Sequence, residues 1–567
     1  MSPSSCSTAA SRWARCKHAL TSWHAFHDAV RLKSASSILV NEDLLPSPPE
    51  RQTWTAWNFF AYWWSKSWAV STWSVGSSLI ALGASVRDAL LVVLFANFLS
   101  AVVIVLNGRA AALYHVGYPV LARVSFGIYG SYFFVILRAL LGIIWGGVQL
   151  YFEGQFISIC LRCIFPGWAR LHNGIPADQY ITTQGMVGFL LAFVFTLPLM
   201  LVHTARIRHL FSVKSVVFPL AGMGVVCWAT TANGGVSADK LVDESLRPTT
   251  SIFAWGLVAQ FNAVMGANSA LLVTVPDLAR YSKTRNAQLY GQLFGLPLAG
   301  TVCSAFGIIT TSAVKNMYGE AFWNPYDLLN GILDHSYRSK ARAGVFFASA
   351  AFAFATLGTS VACNIVPFAA DITCLAPRYV NIVRGQFICL IIAFAIVPWR
   401  IVSTANGFLS FLSGYSIFQG PVVGIMIVDY FLVRRGNLDL GDLFSQAPSG
   451  RYYYTRGANL RGIAAFVIGF LLPLPGFVAS FGTGAQVSAA ATDMFDLGWV
   501  LSFLMGGLSY WVICRFSTAR EGNKLSFEAQ VPHRIDTGSG NDTLVVDGAE
   551  IIGPAEVSET KNAKLSV

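Results

Sequence analysis

The chain has 567 residues, of which 54% are hydrophobic and only 12% charged, and its mean hydropathy is +0.55. A soluble globular protein carries about 25% charged residues, so this composition argues against a soluble enzyme, a nucleic-acid-binding protein and a disordered scaffold. The net charge is +11. Most of the charged residues lie in loops and tails beside apolar segments, where basic residues set membrane topology. We therefore predict an integral membrane protein that binds no nucleic acid.

A membrane-spanning helix needs about 20 mainly apolar residues, and twelve segments of the sequence qualify. In chain order they are 57–82, 89–108, 126–152, 181–202, 215–236, 251–275, 292–314, 344–369, 382–397, 401–428, 462–480 and 497–514. The ninth segment is short and could merge with the tenth. The prediction is thus an all-α membrane protein with twelve transmembrane helices, and ten as the lower bound.

Polar tails flank these helices. Residues 1–52 are rich in Ser and basic side chains, and residues 516–567 in Gly and charged side chains, so both tails are predicted to be disordered. An even number of helices puts both tails on one side of the membrane. The loops on that side carry more Lys and Arg than the opposite loops, which predicts that both termini are cytoplasmic. A transit peptide in the acid-poor first 27 residues is the less favoured alternative.

Polar and small residues interrupt two of the apolar segments. The first contains Ser and Thr within 63–73, and the sixth contains Gly-Ala-Asn-Ser at 266–269. Segments one and six are five apart, as expected for a five-plus-five inverted repeat whose discontinuous helices form a site at the middle of the membrane. Small residues are equally typical of close packing between helices, and the pattern alone leaves both interpretations open.

Candidate ligand-binding side chains lie in the third and eighth segments. Trp145 and Gln149 are four residues apart and share one helix face, and Asn364 lies within the eighth segment. An indole offers a flat stacking surface, and a carboxamide offers both donors and an acceptor. Together they suit a small, planar, amide-rich solute such as a nucleobase or a ureide, although each alone could instead connect helices.

Few charges fall inside the apolar segments. Glu153 follows Gln149 by one turn and is either a proton carrier or a paired or solvated interfacial residue. Lys66 either extends to the interface or marks a cavity, and Arg138 is interpreted as a structural charge. The lone pair Cys160 and Cys163 cannot supply four zinc ligands, and there is no Walker A motif. We therefore predict no metal, no cofactor and no enzymatic activity.

Five strings of the sequence resemble the nucleobase-cation-symport-1 family, and most closely its fungal uracil/allantoin permease branch. They are VSFGIYGSY at 124–132, WGGVQ at 145–149, VPDLARY at 275–281, LAPRYVNIVRG at 375–385 and VDY at 428–430. The resemblance runs from residue 41 to residue 515 in the family's order. It implies a transporter domain at 53–515 with LeuT-like inverted repeats at about 53–237 and 248–435, discontinuous helices 1 and 6, and two further helices at 461–515.

The resemblance also implies site residues, carried over position by position. The family's substrate contacts fall on Trp145, Gln149, Ala267, Asn268, Asn364 and Ala69. Ala267 and Asn268 stand where bacterial relatives have Gly-Trp, so the second stacking Trp is lost. Ala69 stands where the family has a polar contact. Selectivity is therefore expected to differ from that of the bacterial relatives.

The sodium site of the bacterial relatives maps onto five positions, which are Ser65 and Trp68 through their carbonyl groups, and Ala355, Gly358 and Thr359. Gly358 stands where a hydroxyl ligand is expected, and the loss of an oxygen ligand weakens a site for a hard cation. The resemblance therefore implies coupling to protons, with Glu153 as a candidate carrier.

The prediction is a plasma-membrane proton symporter that imports a nucleobase or ureide such as uracil, allantoin or uric acid. Related heterocycles such as cytosine, thiamine or another vitamin, and a non-transporting nutrient sensor, are the alternatives. The expected partners are the heterocyclic substrate, the lipid bilayer and, on the tails, ubiquitin-ligase or endocytic adaptors. Candidate ubiquitin acceptors are Lys524, Lys561 and Lys564.

Overall fold

The structure is a computed structural model. It describes residues 39, 44–201, 204–235, 250–481, 487–516, 527–528, 544–546 and 549–551; at 204–209, 250, 544–546 and 549–551 only the backbone is described. Lys524, Lys561 and Lys564 lie outside the described residues, as does most of residues 1–43.

The described chain is almost entirely helical. Its α-helices are α1 (Ala56–Ser67), α2 (Val70–Ala81), α3 (Val86–Tyr114), α4 (Tyr118–Phe126), α5 (Ser131–Ile164), α6 (Thr183–Thr196), α7 (Thr204–Ala232), α8 (Thr250–Thr274), α9 (Pro276–Ala279), α10 (Ala287–Tyr318), α11 (Pro325–His335), α12 (Ser339–Ser360), α13 (Val366–Leu375), α14 (Ile382–Ala395), α15 (Ala405–Val428), α16 (Leu460–Leu471), α17 (Leu474–Ser480), α18 (Ala489–Asp496) and α19 (Gly498–Phe516). Two π-helical turns, Val361–Ile365 and Asp429–Val433, follow α12 and α15. Strands β1 (Leu544–Val546) and β2 (Ala549–Ile551) form an antiparallel pair in the C-terminal tail.

Helices occupy all twelve predicted positions. Within the described residues, nine helices are long and apolar enough to cross a membrane. The first position holds the broken pair α1 and α2, the ninth holds the short helix α14, and the eleventh holds α16 and α17, which are bent by 53°. The all-α membrane fold is therefore confirmed, whereas the count of twelve spans and the inverted repeat stay predictions.

The first membrane helix is discontinuous, as predicted. It ends at Ser67 and resumes at Val70, because Ala69 adopts an extended backbone with φ −142° and ψ 150°. The amide of Ala69 bonds to the carbonyl of Ser67 at 2.9 Å instead of the residue four positions earlier. The break thus exposes polar backbone groups that a continuous helix would satisfy internally.

The predicted break in the sixth membrane helix is wrong, because α8 continues through 266–269. A Cβ on Gly266 would lie 2.3 Å from the carbonyl oxygen of Leu412 in α15. The carbonyl of Gly266 accepts hydrogen bonds from Ser269 Oγ at 2.8 Å and from Tyr415 Oη at 2.6 Å. The small residues therefore permit close helix packing, which was the alternative interpretation.

Both tails contact the same end of the helical bundle. Leu39 and Leu44 are buried there, and the amide of Ser47 donates to the carbonyl of His115 at 2.8 Å. Glu528 forms an ion pair with Arg109 at the same end. These described parts of the tails are ordered, so the prediction of disorder is wrong for them, because they bury apolar or charged groups against the bundle.

Candidate functional site

A cavity of about 830 Å³, its open mouth included, lies between the break in helix 1 and the helices α5, α8 and α12. Five of the six predicted substrate-contact positions line it, namely Trp145, Gln149, Ala267, Asn268 and Asn364. Sequence positions far apart in the chain are thus brought together at one site.

The indole of Trp145 is held in a fixed orientation at the cavity wall. Its Nε1 donates to Tyr415 Oη at 3.3 Å, and Tyr415 is itself tied to α8 through Gly266. The rings of Phe408 and Phe411 lie 6.3 and 6.1 Å from the indole, centroid to centroid. A fixed aromatic face of this kind can stack a planar ligand.

Gln149 lies on the same face of α5 and is 2% exposed. Its Nε2 donates to Ser71 Oγ at 3.1 Å, whereas its Oε1 has no hydrogen-bond partner among the described residues. A buried acceptor left unpaired costs about 1–3 kcal/mol, and a ligand N–H donor would remove that cost. Ser71 was missed as a site residue, although the Ser and Thr cluster of the first segment was its signal.

Asn364 lies in the π-helical turn Val361–Ile365. Such turns interrupt the regular hydrogen bonding of a helix and are frequent at functional sites. The turn places Asn364 and Cys363 on the cavity wall. The eighth membrane helix (α12 and the turn that follows it), rather than the sixth (α8), is therefore irregular beside the cavity. The sequence carried no clear signal for this turn.

The amide of Asn268 is already fully engaged with protein groups. Its Nδ2 donates to Asn97 Oδ1 at 3.0 Å and to Ser100 Oγ at 3.2 Å, and its Oδ1 accepts from Lys66 Nζ at 3.3 Å. Asn268 therefore orients Lys66, which lines the cavity.

Ala69 lies behind the cavity wall. Its carbonyl accepts a hydrogen bond from the thiol of Cys303 at 3.7 Å. Ser71 and Thr72 line the cavity from that segment instead.

A lysine side chain occupies the region that the sequence assigned to a cation. Lys214 Nζ donates to Thr359 Oγ1 at 2.5 Å, and that hydroxyl donates to the carbonyl of Ala355 at 2.9 Å. A Cβ on Gly358 would lie 3.5 Å from the Lys214 Cδ. Ser65 is assigned to the cation site through its backbone carbonyl, and its side-chain hydroxyl donates to the carbonyl of Phe211 at 3.1 Å. The Thr359 hydroxyl thus already accepts a hydrogen bond from a charged group, the Lys214 ammonium.

Lys214 was not predicted as a site residue. It is fully buried inside α7, one residue before the predicted start of the fifth segment. Its position next to the predicted start of an apolar segment does not reveal whether the side chain points into the bundle or into solvent. The sequence therefore could not identify Lys214 as a buried residue.

Two further charged groups lie within the bundle. Arg138 forms a buried ion pair with Asp371 and lines the cavity. Glu153 is 2% exposed, and Thr196 Oγ1 at the end of α6 donates to its Oε2 at 3.5 Å. The interpretation of Glu153 as a solvated interfacial residue is therefore wrong.

No metal cluster is formed by the side chains that the structure describes: no group of three His, Cys, Asp or Glu is placed to hold an ion. Cys160 and Cys163 are free thiols in the last turns of α5.

Known proteins resemble the chain along most of its length. An allantoin permease of Saccharomyces cerevisiae is 34% identical over 85% of this chain and 76% of its own, and a uracil permease of the same yeast is 32% identical over the same shares. The inward-facing structure of Mhp1 superposes with a TM-score of 0.66 at 20% identity, covering 85% of this chain and 95% of its own. Mhp1 has also been solved closed with bromovinylhydantoin bound, and is there called a nucleobase-cation-symport-1 family transporter.

A family described as permeases for cytosine/purines, uracil, thiamine and allantoin matches residues 46–502. That match covers most of the chain, the yeast permeases exceed 30% identity, and the fold is that of Mhp1. The protein is a transporter rather than an enzyme, and it belongs to the nucleobase-cation-symport-1 family.

Proposed function

We propose that the protein imports a nucleobase or ureide, such as uracil, allantoin or uric acid, across the plasma membrane by alternating access. The observation that carries this proposal is the buried Oε1 of Gln149, which lacks a hydrogen-bond partner among the described residues and lies on the same helix face as the fixed indole of Trp145. A planar ring with an N–H donor would stack on the indole and satisfy that oxygen. Asn364 supplies a second carboxamide on the cavity wall.

The relatives support the same substrate class. The yeast permeases are named for allantoin and uracil, and the ligand named in the Mhp1 structure is a hydantoin. Each of these compounds combines ring N–H donors with carbonyl acceptors, which is the pattern that two carboxamides recognise. Cytosine and thiamine, named in the family description, are the alternatives within the class.

The proposed coupling ion is the proton. Sodium would need oxygen ligands near Thr359, but the Lys214 ammonium already donates to that hydroxyl and its stem packs beside Gly358. A second cation next to a buried ammonium would be repelled. Lys214 is therefore a better candidate for the proton-exchanging group than Glu153, which faces Thr196 at the contact between α5 and α6.

Both tails are proposed to be cytoplasmic. Their contacts at one end of the bundle and the basic loops of the sequence support a common side. Lys524, Lys561 and Lys564 are proposed acceptors for ubiquitin through adaptors that bind the tail.

The test is uptake of labelled uracil, allantoin, uric acid, cytosine and thiamine by cells that express the protein, against cells that carry an empty vector. We expect saturable uptake of at least one compound that falls as the external pH rises, collapses with a protonophore and persists when choline replaces sodium. Binding without uptake would identify a nutrient sensor. Sodium-dependent uptake at constant pH would contradict proton coupling and leave the substrate class standing.

A further inference from the structure

Lys66 introduces a positive charge into the cavity. It is the second-last residue of α1, directly before the break in helix 1, and its side chain lines the cavity. Its Nζ donates to Asn268 Oδ1 at 3.3 Å and lies 5.8 Å from the centroid of the Trp63 ring. An ammonium has three donors and no acceptor, so one bond to an amide leaves donor capacity for a ligand.

No carboxylate in the described part of the chain lies within ion-pair distance of Lys66. The other cavity-lining cation, Arg138, is neutralised by Asp371. Lys214 lies near enough for its charge to interact with that of Lys66, and it too lacks a carboxylate partner among the described residues. The cavity therefore carries an excess of positive charge.

A network of amides holds this charge in place. Asn97 and Ser100 of α3 accept both protons of Asn268 Nδ2, which leaves Asn268 Oδ1 directed at Lys66. A charge in a low-dielectric site is costly unless a partner of opposite sign is supplied. Because the described protein supplies none, the partner would arrive with the substrate.

We infer that the substrate binds as an anion: a planar heterocycle that carries one negative charge, either on a deprotonated ring or on a ring carboxylate, paired with Lys66. This inference rests on the proposed function and narrows it. Trp145 would stack the ring and Gln149 Oε1 would accept a ring N–H. Lys66 is thus a specificity-determining residue, and Asn268 a positioning residue that acts through it.

The experiment compares pairs of heterocycles that are similar in shape and differ in charge: urate with hypoxanthine, and orotate with uracil. For each compound, uptake or inhibition of uptake is measured in cells that express the wild-type protein, Lys66→Met or Lys66→Arg. Lys283→Met, in an exposed loop, is the matched control, and surface fluorescence of a tagged protein reports delivery to the membrane.

We expect the wild type to prefer the anion of at least one pair. Lys66→Met should weaken that anion's apparent affinity at least tenfold, about 1.4 kcal/mol, and change the neutral compound's affinity less than twofold. Lys66→Arg and Lys283→Met should keep the preference. A preference for urate alone would assign the charge to the ring, and a preference for orotate alone to the carboxylate.

Asn268→Asp provides a second variant if Lys66→Met does not reach the membrane. The new carboxylate would pair with Lys66 and should also remove the anion preference. Equal losses for anion and neutral compound, or a wild-type preference for the neutral member of both pairs, would overturn the inference while the proposed function stands. Absence of uptake for all four compounds and for the earlier panel would instead overturn the proposed function.

Discussion

The two ends of the Gln149 carboxamide differ: its nitrogen donates to the Ser71 hydroxyl, whereas its oxygen has no hydrogen-bond partner among the described residues. We expect Gln149→Ala to weaken apparent substrate affinity about five- to hundredfold, because a buried ligand hydrogen bond is worth about 1–3 kcal/mol. The measurement is concentration-dependent uptake with surface expression as a reference. Gln386→Ala is the matched control, since Gln386 is equally buried with an unpaired Oε1 but does not line the cavity. Similar losses in both variants would mean that Gln149 only stabilises the fold.

Lys214 is expected to govern coupling rather than recognition. In Lys214→Met the methionine keeps the stem's packing beside Gly358 but cannot bind or release a proton. Uptake should lose its stimulation by external acid, while inhibition by unlabelled substrate persists. Lys315→Met, at the end of α10, is the control for loss of a lysine. Acid-stimulated uptake that survives in Lys214→Met would assign the proton to another group, and Glu153→Gln would be the next variant.

Cavity-lining residues were predictable where a family motif fixed their positions. Trp145, Gln149 and Asn364 stand in recognisable contexts, and the fold brings them to one cavity. Lys214 and Ser71 were not predictable, because a lysine at a segment boundary and a serine in a Ser/Thr cluster each have commoner structural roles. What distinguishes them is the direction of the side chain, which depends on packing between helices distant in sequence.

Among the helices, α8 shows why small residues are an ambiguous signal. A glycine can mark either an unwound turn or a close contact, and the sequence does not say which. A break requires a partner for each freed carbonyl. The carbonyl of Gly266 has such partners in Ser269 and Tyr415, yet the helix stays regular because α15 packs directly against it. The irregular turn at Val361–Ile365 had no comparable composition signal.

The helix α11, between the spans α10 and α12, carries a pH-sensitive carboxyl group. Burial raises the pKa of Asp327 to about 7, against the opposing hydrogen bond from Asn324 Nδ2 at 3.2 Å. The folded protein therefore holds a proton that the unfolded chain releases near pH 4, so stability is lost as the pH rises from about 4 to 7. Asp327→Asn should remove this loss.

The measurement is the melting temperature of the purified protein in detergent at about pH 5.5 and pH 8. The wild type should lose more stability than Asp327→Asn between these two conditions. Asp334→Asn changes an exposed carboxylate of the same helix and should behave like the wild type. A pH dependence that remains unchanged in Asp327→Asn would assign it to another group.

On the scale of the whole molecule, composition and apolar segment length were sufficient to predict a helical membrane bundle, because the bilayer allows few alternatives. Composition and segment length could not predict how the tails contact the bundle. Leu39 and Leu44 lie in a segment whose composition predicts disorder, yet the bundle buries both. A backbone carbonyl at Leu39 also accepts from the buried guanidinium of Arg123 at 3.3 Å. Such contacts depend on a surface that exists only after the helices have assembled.

The contacts of the C-terminal tail with the bundle can be tested directly. Glu528 accepts two hydrogen bonds from Arg109, at 2.9 Å from Nε and 2.8 Å from Nη2, and its amide donates to the carbonyl of Arg435 at 2.9 Å. Phe527 stacks on Phe431, with ring centroids 6.0 Å apart. The tail therefore links the end of α3 to the π-helical turn after α15 and to the loop that follows it.

Removing this link should lower stability without changing substrate affinity, because the cavity is formed by other residues. A two-bond ion pair that remains partly exposed is worth about 1 kcal/mol, so Glu528→Ala should melt about 1 °C lower. Arg109→Ala should have a similar effect, and the double variant should fall by less than the sum of the two single losses, since the two side chains share one ion pair. Truncation before residue 524 should match the single variants or exceed them slightly through loss of Phe527. Additive losses in the double variant would show that the two residues act separately, and a changed affinity would show that the tail acts on the transport pathway itself.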